Sequence, residues 1–457
     1  MERLGASPPR VTAPVPGAKG QAWIDVLAAR ECPGLTARRA RRRETSGASG
    51  DPLVWTRAAG ANVVDADGNI YVDLTTGFGA ALAGHGHPRI VKAATAQTER
   101  LIHALGDVHP SDVKVELLER LAELSGMPDA RVMLATNGAD AVEAALQTAV
   151  LATGRTGVIA FDGGYHGLSL GALAVCGYGH GFRAPFKGLL PEKVRFAPYP
   201  RTEVELPPAL AALDAQWGDD VAAVVVEPWL GRGGVIEPAQ GFLEALRARA
   251  SERGTLLVID EILTGLGRTG ARFAHTEPGV APDILCLGKA LGGGFPIAAT
   301  IAPAAVMEGW ARSSGEALRT GTFYGHPVAA AAALAFLDVL EGESLAERAR
   351  ALSTSFRREL DAAIGDHPKV RSVAGQGALL GVEFAEDGLA LRVVQDLMER
   401  GYLTLPAGPT ARTLELLPPA NFPEELLRGF VSCLVEVLAA LPNTAPTDAR
   451  GTGSEGA

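Results

Sequence analysis

The sequence predicts an α/β protein with a large, mainly parallel sheet flanked by helices, plus a smaller α+β domain. From about residue 112 onward, short apolar runs alternate with segments of helical periodicity, as in parallel strands joined by crossover helices. Hydrophobic residues make up 47% of the chain but aromatic residues only 5%, so aliphatic side chains must fill the core. The 457 residues are enough for two or three domains.

Composition excludes several classes of function. The chain has 42 Lys and Arg against 52 Asp and Glu, a formal net charge of −10, whereas nucleic-acid-binding proteins usually carry a basic surface. A basic run at 38–43 is expected to be a solvated helix face. No segment is long and apolar enough for a membrane helix or a signal peptide. Four scattered cysteines indicate reduced thiols and no zinc site, so we expect a cytoplasmic protein with neither nucleic-acid nor membrane partners.

The two ends of the chain are expected to be disordered tails, since they are rich in small or polar residues and lack periodicity. The first folded element is a hairpin at 62–73, because Asp67-Gly68 is a strong turn dipeptide between two short apolar runs. The expected organisation is a tail at 1–20, the N-terminal part of a small domain at 21–74, a large domain at 75–340, the C-terminal part of the small domain at 341–442 and a tail at 443–457.

The alternating elements follow in order. Helices are expected where the apolar period is 3.6, and strands where short apolar runs are bounded by turn residues. The helices are expected at 113–124, 139–153, 241–254 and 327–341, and the strands at 131–135, 157–161, 221–227, 255–260 and 283–287. Functional groups gather beyond the carboxyl ends of strands in such a sheet, so Glu227, Asp260 and Lys289 are the first candidates.

Lys289 directly follows an apolar strand, in a chain where only seven of the 42 basic residues are lysine. Burial at the end of a strand favours the neutral amine, which can form a Schiff base with an aldehyde. The alternative is an ordinary lysine whose ammonium reaches water.

Asp260 ends its own strand, where it is either a cap or the partner of a buried cation. A protonated pyridine nitrogen is such a cation, and pairing with it makes pyridoxal phosphate an electron sink. Residues 135–140 lie between a strand and a helix, so their N–H groups and the helix dipole face an anion such as a phosphate. A plain helix N-cap is the alternative for that segment.

Two competing motifs carry less weight. Residues 265–270, GLGRTG, match the dinucleotide fingerprint GxGxxG, which makes a nicotinamide oxidoreductase a hypothesis from another class. The segment that follows, 271–283, has two prolines and no helical pattern, and the next acid beyond it is not about 20 residues on, where a ribose ligand would lie. His85 and His87 lack further ligands at metal-site spacing, so no metal is expected.

Taken together, these motifs resemble the class III aminotransferases, pyridoxal-phosphate enzymes of fold type I, from about residue 21 to 442. The 4-aminobutyrate aminotransferase-like branch is the one that the chain resembles closely. The matching segments are GHGHP at 84–88, TNGADAVEAAL at 136–146, FDGGYHG at 161–167, VVVEPWLGRGGV at 224–235, LLVIDEILTGLGRTG at 256–270, PDILCLGKALGGGFP at 282–296 and GTFYGHPVAAAAALA at 321–335.

The resemblance implies a role for each cofactor residue. Lys289 would form the Schiff base with pyridoxal phosphate and Asp260 would pair with the pyridine nitrogen. The other implied contacts are Asn137, Gly138 and Ala139 around the phosphate, Tyr165 and Ile262 on the two ring faces, Glu227 near the ring, His166 as a structural or hydrogen-bonding neighbour, and Thr322 from the other subunit of a homodimer.

The chain departs from that branch in the substrate pocket. The branch has a Glu in the loop that here holds Arg232, and an Arg, receiving the substrate α-carboxylate, on the strand that here holds Glu415. An exchanged pair would move the carboxylate receptor to Arg232, with Arg412 as a second candidate. Alternatively, Glu415 receives a cationic group of a diamine or aminosugar, or the exchange has no consequence. Trp229 and Phe78 are expected to make the pocket tighter and more apolar.

The expected activity is therefore a ping-pong aminotransferase that moves a non-α or terminal amino group to an oxo acid or aldehyde. Lys289 would also move the proton between the amine-bearing carbon and the cofactor. An aminomutase or decarboxylase is the alternative, because the shared cofactor site fixes only the electron sink.

Overall fold

A computed structural model describes residues 4–46, 52–312 and 315–441 of the chain. The strands within these ranges are β1 (Trp55–Ala59), β2 (Asn62–Asp65), β3 (Ile70–Asp73), β4 (Ala130–Ala135), β5 (Gly157–Phe161), β6 (Val194–Ala197), β7 (Val221–Val226), β8 (Leu256–Asp260), β9 (Ile284–Leu287), β10 (Ala298–Pro303), β11 (Val370–Gln376), β12 (Leu379–Phe384), β13 (Tyr402–Leu403), β14 (Leu405–Ala407) and β15 (Thr413–Leu416).

The α-helices connect and cover these strands. They are α1 (Ala18–Arg30), α2 (Pro33–Ser46), α3 (Thr76–Gly79), α4 (Pro88–Arg100), α5 (Asp112–Ser125), α6 (Gly138–Thr153), α7 (Leu170–Ala174), α8 (His180–Arg183), α9 (Leu206–Gln216), α10 (Phe242–Glu252), α11 (Ala304–Met307), α12 (Pro327–Gly342), α13 (Leu345–Ile364), α14 (Leu389–Glu399) and α15 (Glu424–Ala440).

The largest sheet has seven strands in the order β4-β10-β9-β8-β7-β5-β6. Only β10 runs antiparallel to its neighbours, and the pairings among the other strands are parallel. Every residue of β7 is buried, because apolar clusters cover the sheet on both faces. The mainly parallel α/β sheet and its alternating helices are therefore confirmed.

Two four-stranded sheets complete the fold, in the orders β1-β2-β3-β13 and β11-β12-β15-β14. The predicted hairpin is confirmed, since β2 and β3 pair antiparallel around Asp67-Gly68. The second of these sheets carries Glu415, which lies opposite Gly381 of β12 and Leu405 of β14. No helix among the described residues has the length and apolar character to cross a bilayer.

The N-terminal segment differs from the expected tail. The side chain of Asn62 accepts hydrogen bonds from the backbone of Gly5 and Ser7, and Arg10 pairs with Ile70. Asp67 accepts hydrogen bonds from the first turn of α1. Residues 4–20 are ordered because side chains some 50 positions away hold their backbone. The predicted C-terminal tail, 443–457, lies outside the described residues, and the basic run lies on α2.

The segment GLGRTG does not lead into a helix, as a dinucleotide-binding turn would. Instead, Arg268 is completely buried and joins three separate parts of the chain. Its Nη1 donates hydrogen bonds to the carbonyl oxygens of Ala378 at 3.0 Å and Pro418 at 2.8 Å. Its Nη2 donates to Thr76 Oγ1 at 3.2 Å and to the carbonyl oxygen of Gly79 at 3.0 Å. Burial lowers the pKa of Arg268 to about 9.

We therefore expect Arg268→Leu to lower the free energy of unfolding by at least ~3 kcal/mol, because it leaves several buried acceptors without a donor. Thermal unfolding followed by circular dichroism measures the change. Arg272→Leu is the matched control, since that side chain is 56% exposed. An Arg268→Leu protein as stable as this control would contradict the role assigned to the buried guanidinium.

Candidate functional site

The site lies at the carboxyl edge of the seven-stranded sheet. Glu227 follows β7, Asp260 is the last residue of β8 and Lys289 lies two positions after β9. Tyr165 follows the adjacent β5, and Asn137 lies between β4 and α6. Because β5, β7, β8 and β9 are consecutive parallel neighbours, the residues after them meet at one edge.

Lys289 is the amine of the site. Loss of hydration lowers its pKa, although the negative charges of Asp260, Glu227 and Glu415 act in the opposite direction. Its backbone has φ of 41°, in the left-handed region, which costs a non-glycine residue roughly 1–3 kcal/mol. Lys289 therefore combines a strained backbone with an amine that gives up its proton more readily than an exposed lysine.

Asp260 and His166 form a buried pair. The Oδ2 atom of Asp260 is 2.8 Å from Nδ1 of His166, and its Oδ1 accepts a hydrogen bond from the backbone of Ile262 at 3.0 Å. Burial opposes protonation of His166, but the hydrogen bond and charge of Asp260, with Glu227, outweigh it and raise the pKa. The carboxylate of Asp260 is therefore held in one orientation. The other ring nitrogen of His166 is buried and has no hydrogen-bond partner among the described residues.

Glu227 links the aromatic residue of the site to the next loop. Its carboxylate accepts hydrogen bonds from the backbone N–H of Tyr165 at 2.7 Å and of Gly231 at 3.3 Å. Burial raises the pKa of Glu227 to about 7, with a further increase from Asp260 and a decrease from His166. Glu227 thereby fixes Tyr165 relative to the loop that carries Arg232.

An anion cup lies at the start of α6. Asn137 caps this helix by accepting a hydrogen bond from the backbone of Asp140 at 3.0 Å. The first N–H groups of the helix, at Gly138 and Ala139, have no intrahelical acceptor and face outward with the positive end of the dipole. A Cβ on Gly138 would lie 2.9 Å from the side chain of Ile262, which would have to shift to make room for it. The cup and Ile262 are therefore adjacent.

Arg232 and Glu415 are close enough for the charge of Arg232 to act on the carboxyl group of Glu415. The guanidinium of Arg232 lies 5.3 Å from the ring centre of Tyr165 and 5.1 Å from that of Tyr178, and its buried Nε has no acceptor among the described residues. Glu415 is 4% exposed. Burial raises the pKa of Glu415, while Lys289, Arg232 and Arg268 act to lower it. In the part of the chain that the structure describes, no ion pair joins Arg232 to Glu415.

The remaining predicted substrate residues make other contacts. Arg412, directly before β15, forms an ion pair with the exposed Asp387 at 2.8 Å. Trp229 is buried in a small apolar cluster with residues that include Leu263. Phe78 is 58% exposed, at a positive φ of 60°.

Thr322 is exposed and lines a small cavity with His103 and Tyr324. The histidines of GHGHP are bound to carboxylates, His85 to Asp73 at 2.7 Å and His87 to Glu343 at 3.1 Å. Within the described ranges, no cluster of three or more candidate ligands could hold a metal ion.

Two residues of the site have no clear sequence signal. Tyr178 contacts Arg232 from a loop after α7, and nothing in its local sequence marks it. Arg268 acts on both Lys289 and Glu415, and its only signal is a charged residue inside a glycine-rich segment. Both acquire their place through contacts between segments far apart in the chain.

A lysine with a lowered pKa beside a carboxylate held by histidine, with an aromatic ring and a helix N-terminus, provides what pyridoxal phosphate requires. The unpartnered ring nitrogen of His166 and the uncapped N–H groups at Gly138 and Ala139 are consistent with a bound polar group. The fold and the site thus define a pyridoxal-phosphate-dependent enzyme.

The family model for class III aminotransferases matches residues 45–438, and the chain belongs to this family, whose members are transaminases that use pyridoxal phosphate. The acetylornithine aminotransferase of Mycobacterium tuberculosis is 38% identical over 85% of this chain and 92% of the relative. The 5-aminovalerate aminotransferase DavT of Pseudomonas aeruginosa is 33% identical over 84% and 93%.

Solved structures of similar proteins support the same fold. The ornithine aminotransferase of Toxoplasma gondii superposes with a TM-score of 0.75 at 32% identity, over 85% of this chain and 91% of that one. A second structure of that enzyme, with a TM-score of 0.76, 32% identity and coverage of 85% and 90%, has pyridoxal phosphate at partial occupancy in its active site. Fold type I is therefore confirmed.

Replacement of Glu227 by Gln should change how stability depends on pH. A carboxyl group whose pKa is raised on folding contributes stability that is full below the unfolded pKa and lost as the pH rises through the folded value. For Glu227 this window runs from 4.5 to about 7. The melting temperature of the wild type minus that of Glu227→Gln should fall as the pH rises through this window. The exposed Glu244→Gln is the control, and a difference independent of pH would contradict the raised pKa.

Proposed function

We propose that the protein is a homodimeric aminotransferase that takes a terminal or other non-α amino group from a carboxylate-bearing donor and passes it to an oxo acid or aldehyde. The observation that supports this substrate class is Arg232. Its side chain is half-buried beside two aromatic rings, and its Nε has no acceptor among the described residues. A carboxylate satisfies such a group with paired hydrogen bonds.

The relatives support a carboxylate-bearing donor, and one of them supports a terminal amine, whereas the amino group of 2-aminoadipate is α to a carboxylate. The name of one relative specifies 5-aminovalerate, a terminal amine with a carboxylate at the other end. A second relative, from Pseudomonas putida, is a 2-aminoadipate transaminase. It is 36% identical over 85% of this chain and 96% of the relative. Both substrates carry carboxylates, as Arg232 would require.

The chain's own residues have separable roles. When bound, pyridoxal phosphate supplies an aldehyde and an electron-withdrawing ring. Lys289 would hold the aldehyde through Nζ until the donor's amine takes its place. The freed amine, whose pKa is lowered, would then take a proton from the amine-bearing carbon of the donor. Asp260, oriented by His166, would keep the ring nitrogen protonated. Tyr165 and Ile262 would enclose the ring, while the Asn137–Ala139 cup would hold the phosphate.

A second candidate function is transfer from a donor that carries a further cationic group. Glu415 is a buried carboxylate for which the described residues provide no hydrogen-bond donor, and a diamine or aminosugar would supply one. Three cationic side chains already act on Glu415, so we favour the carboxylate-bearing donor. An aminomutase or a decarboxylase would use the same cofactor residues, but neither would transfer an amino group stoichiometrically to an oxo acid.

The homodimer is supported by the surface around Thr322. His103 and Phe323 have ring centres 5.4 Å apart, so the segment before α5 lies against the segment that carries Thr322. Both segments expose large apolar side chains, which commonly mark an interface. These are Ile102, Leu105, Val108 and Phe323, with exposures of 57–65%. We place the enzyme in the cytoplasm, a location with which its free cysteines are consistent.

Amine donors of matched length should distinguish the two candidate substrate classes. We expect 5-aminovalerate to bleach the visible band of the bound cofactor, and 1,5-diaminopentane to do so at least tenfold less efficiently, because only the first offers Arg232 a carboxylate. Arg232→Gln should remove most of this difference. Lys289→Ala should abolish the reaction with both. The reverse preference, lost in Glu415→Gln, would favour cationic donors instead.

Reversal of both charges provides an independent check. Arg232→Glu combined with Glu415→Arg should shift the donor preference towards L-glutamate, because the receptor moves back to β15. Single-turnover rates with L-glutamate and 5-aminovalerate measure the shift. An unchanged ratio of these rates in a folded double variant would show that the exchanged charges do not set specificity.

Subunit mixing should test the position of Thr322. A Thr322→Ala chain retains Lys289, and a Lys289→Ala chain retains Thr322, so a mixed dimer contains one complete site if Thr322 acts across the interface. Mixing the two variants under dissociating conditions, at limiting cofactor, should restore activity that neither has alone. Activity that stays at the sum of the separate variants would contradict the shared site.

A further inference from the structure

The rings of Tyr178 and Tyr165 both lie beside the guanidinium of Arg232. The ring centres of Tyr178 and Tyr165 lie 5.9 Å apart at an interplanar angle of 89°. The guanidinium of Arg232 lies 5.1 Å from the first ring centre and 5.3 Å from the second. A guanidinium within about 6 Å of a ring is attracted by the electrons of the ring face. One cation thus has two aromatic neighbours, and only one of them belongs to the cofactor site.

The backbone of Arg232 is held by the same group of contacts. The phenol of Tyr178 donates a hydrogen bond to the carbonyl oxygen of Gly408 at 3.0 Å. The N–H of Gly408 donates in turn to the carbonyl oxygen of Arg232 at 2.9 Å. A Cβ on Gly408 would lie 3.6 Å from the carbonyl oxygen of Gly233, so the two loops approach closely. Tyr178 therefore constrains Arg232 both through its ring and through the Gly408 loop.

Tyr178 is itself positioned from another side. The ring of Phe182, in α8, lies 5.8 Å from that of Tyr178. Tyr165 is fixed through its backbone hydrogen bond to Glu227. Both rings are consequently held in place, whereas Arg232 itself has no carboxylate partner within the described ranges.

We infer that Tyr178 is a specificity-determining positioning residue, which holds the guanidinium of Arg232 so that it binds the carboxylate of an ω-amino acid donor. The inference rests on the proposed function, since it requires Arg232 to face the donor. An arginine side chain has several rotatable bonds, and ordering them beforehand reduces the loss of entropy on binding. Without Tyr178, Arg232 would keep its charge, but its guanidinium would no longer be held in one position.

The test uses the cofactor-loaded enzyme with two donors of equal chain length, 5-aminovalerate and 1-aminopentane. Tyr178→Leu should raise KM for 5-aminovalerate about tenfold and leave KM for 1-aminopentane within about twofold, because only the first binds Arg232. Tyr178→Phe keeps the ring and should stay within about threefold of the wild type for both donors. An equal rise for both donors in Tyr178→Leu, or no rise for either, would overturn the inference.

A binding measurement without turnover provides the second readout. Pentanoate carries the carboxylate but no amine, and 1-pentanol is its uncharged control. Calorimetry should show pentanoate binding weakened about tenfold in Tyr178→Leu, with 1-pentanol unaffected. In an Arg232→Gln background, Tyr178→Leu should have no further effect on either ligand, since the two residues would act as one unit. A full additional loss there would show that Tyr178 acts independently of Arg232, which would overturn the inference.

The two possible failures are distinguishable. If the wild type uses 5-aminovalerate no better than 1-aminopentane, Arg232 is not a carboxylate receptor and the proposed substrate class fails. If the wild type prefers 5-aminovalerate and loses the preference in Arg232→Gln but keeps it in Tyr178→Leu, only the role of Tyr178 fails. An unchanged absorption spectrum and melting temperature show that each variant is folded and loaded.

Discussion

The alignment of four neighbouring parallel strands is the constraint on which the site depends. Because β5, β7, β8 and β9 end at the same edge, the residues that follow them are forced together without any local signal between them. Tyr165, Glu227, Asp260 and Lys289 are separated by up to 124 positions, yet each acts electrostatically or by hydrogen bond on another. The sheet, rather than any loop, therefore sets the geometry of the chemistry.

That convergence buries several ionisable groups away from water. Their interactions with one another and with nearby polar groups offset the free-energy cost of this burial. Burial favours the neutral forms of Lys289 and Glu415, whereas each charge stabilises the other. His166 compensates Asp260, and backbone N–H groups compensate Glu227. Arg268 is different, because carbonyl and hydroxyl oxygens receive its hydrogen bonds. The charges of Glu415 and Asp73 oppose its positive charge, which also acts on Lys289.

Features that depend on residues close together in the sequence could be predicted, whereas features that depend on contacts between distant segments could not. Apolar runs and turn dipeptides are local, so the strands, the hairpin and the strand-end positions of Glu227, Asp260 and Lys289 could be predicted. Tyr178 and the ordered segment at 4–20 depend on partners far along the chain, which no periodicity reveals. Arg412 shows the converse, since its nearness to Glu415 in the sequence made it a candidate receptor, whereas in the structure it forms an ion pair with the exposed Asp387.

In the proposed function, the exchange of charges at Arg232 and Glu415 would change specificity while the fold and the cofactor residues stay the same. Glu415 lies on a strand, where its direction is fixed by pairing with β12 and β14. Arg232 lies in a loop, where a long side chain would be free unless something holds it. A receptor moved from the strand to the loop therefore needs new support, and the ring of Tyr178 and the loop at Gly408 occupy the positions that provide it. The substrate preference of this aminotransferase would then depend as much on those supporting contacts as on the charge itself.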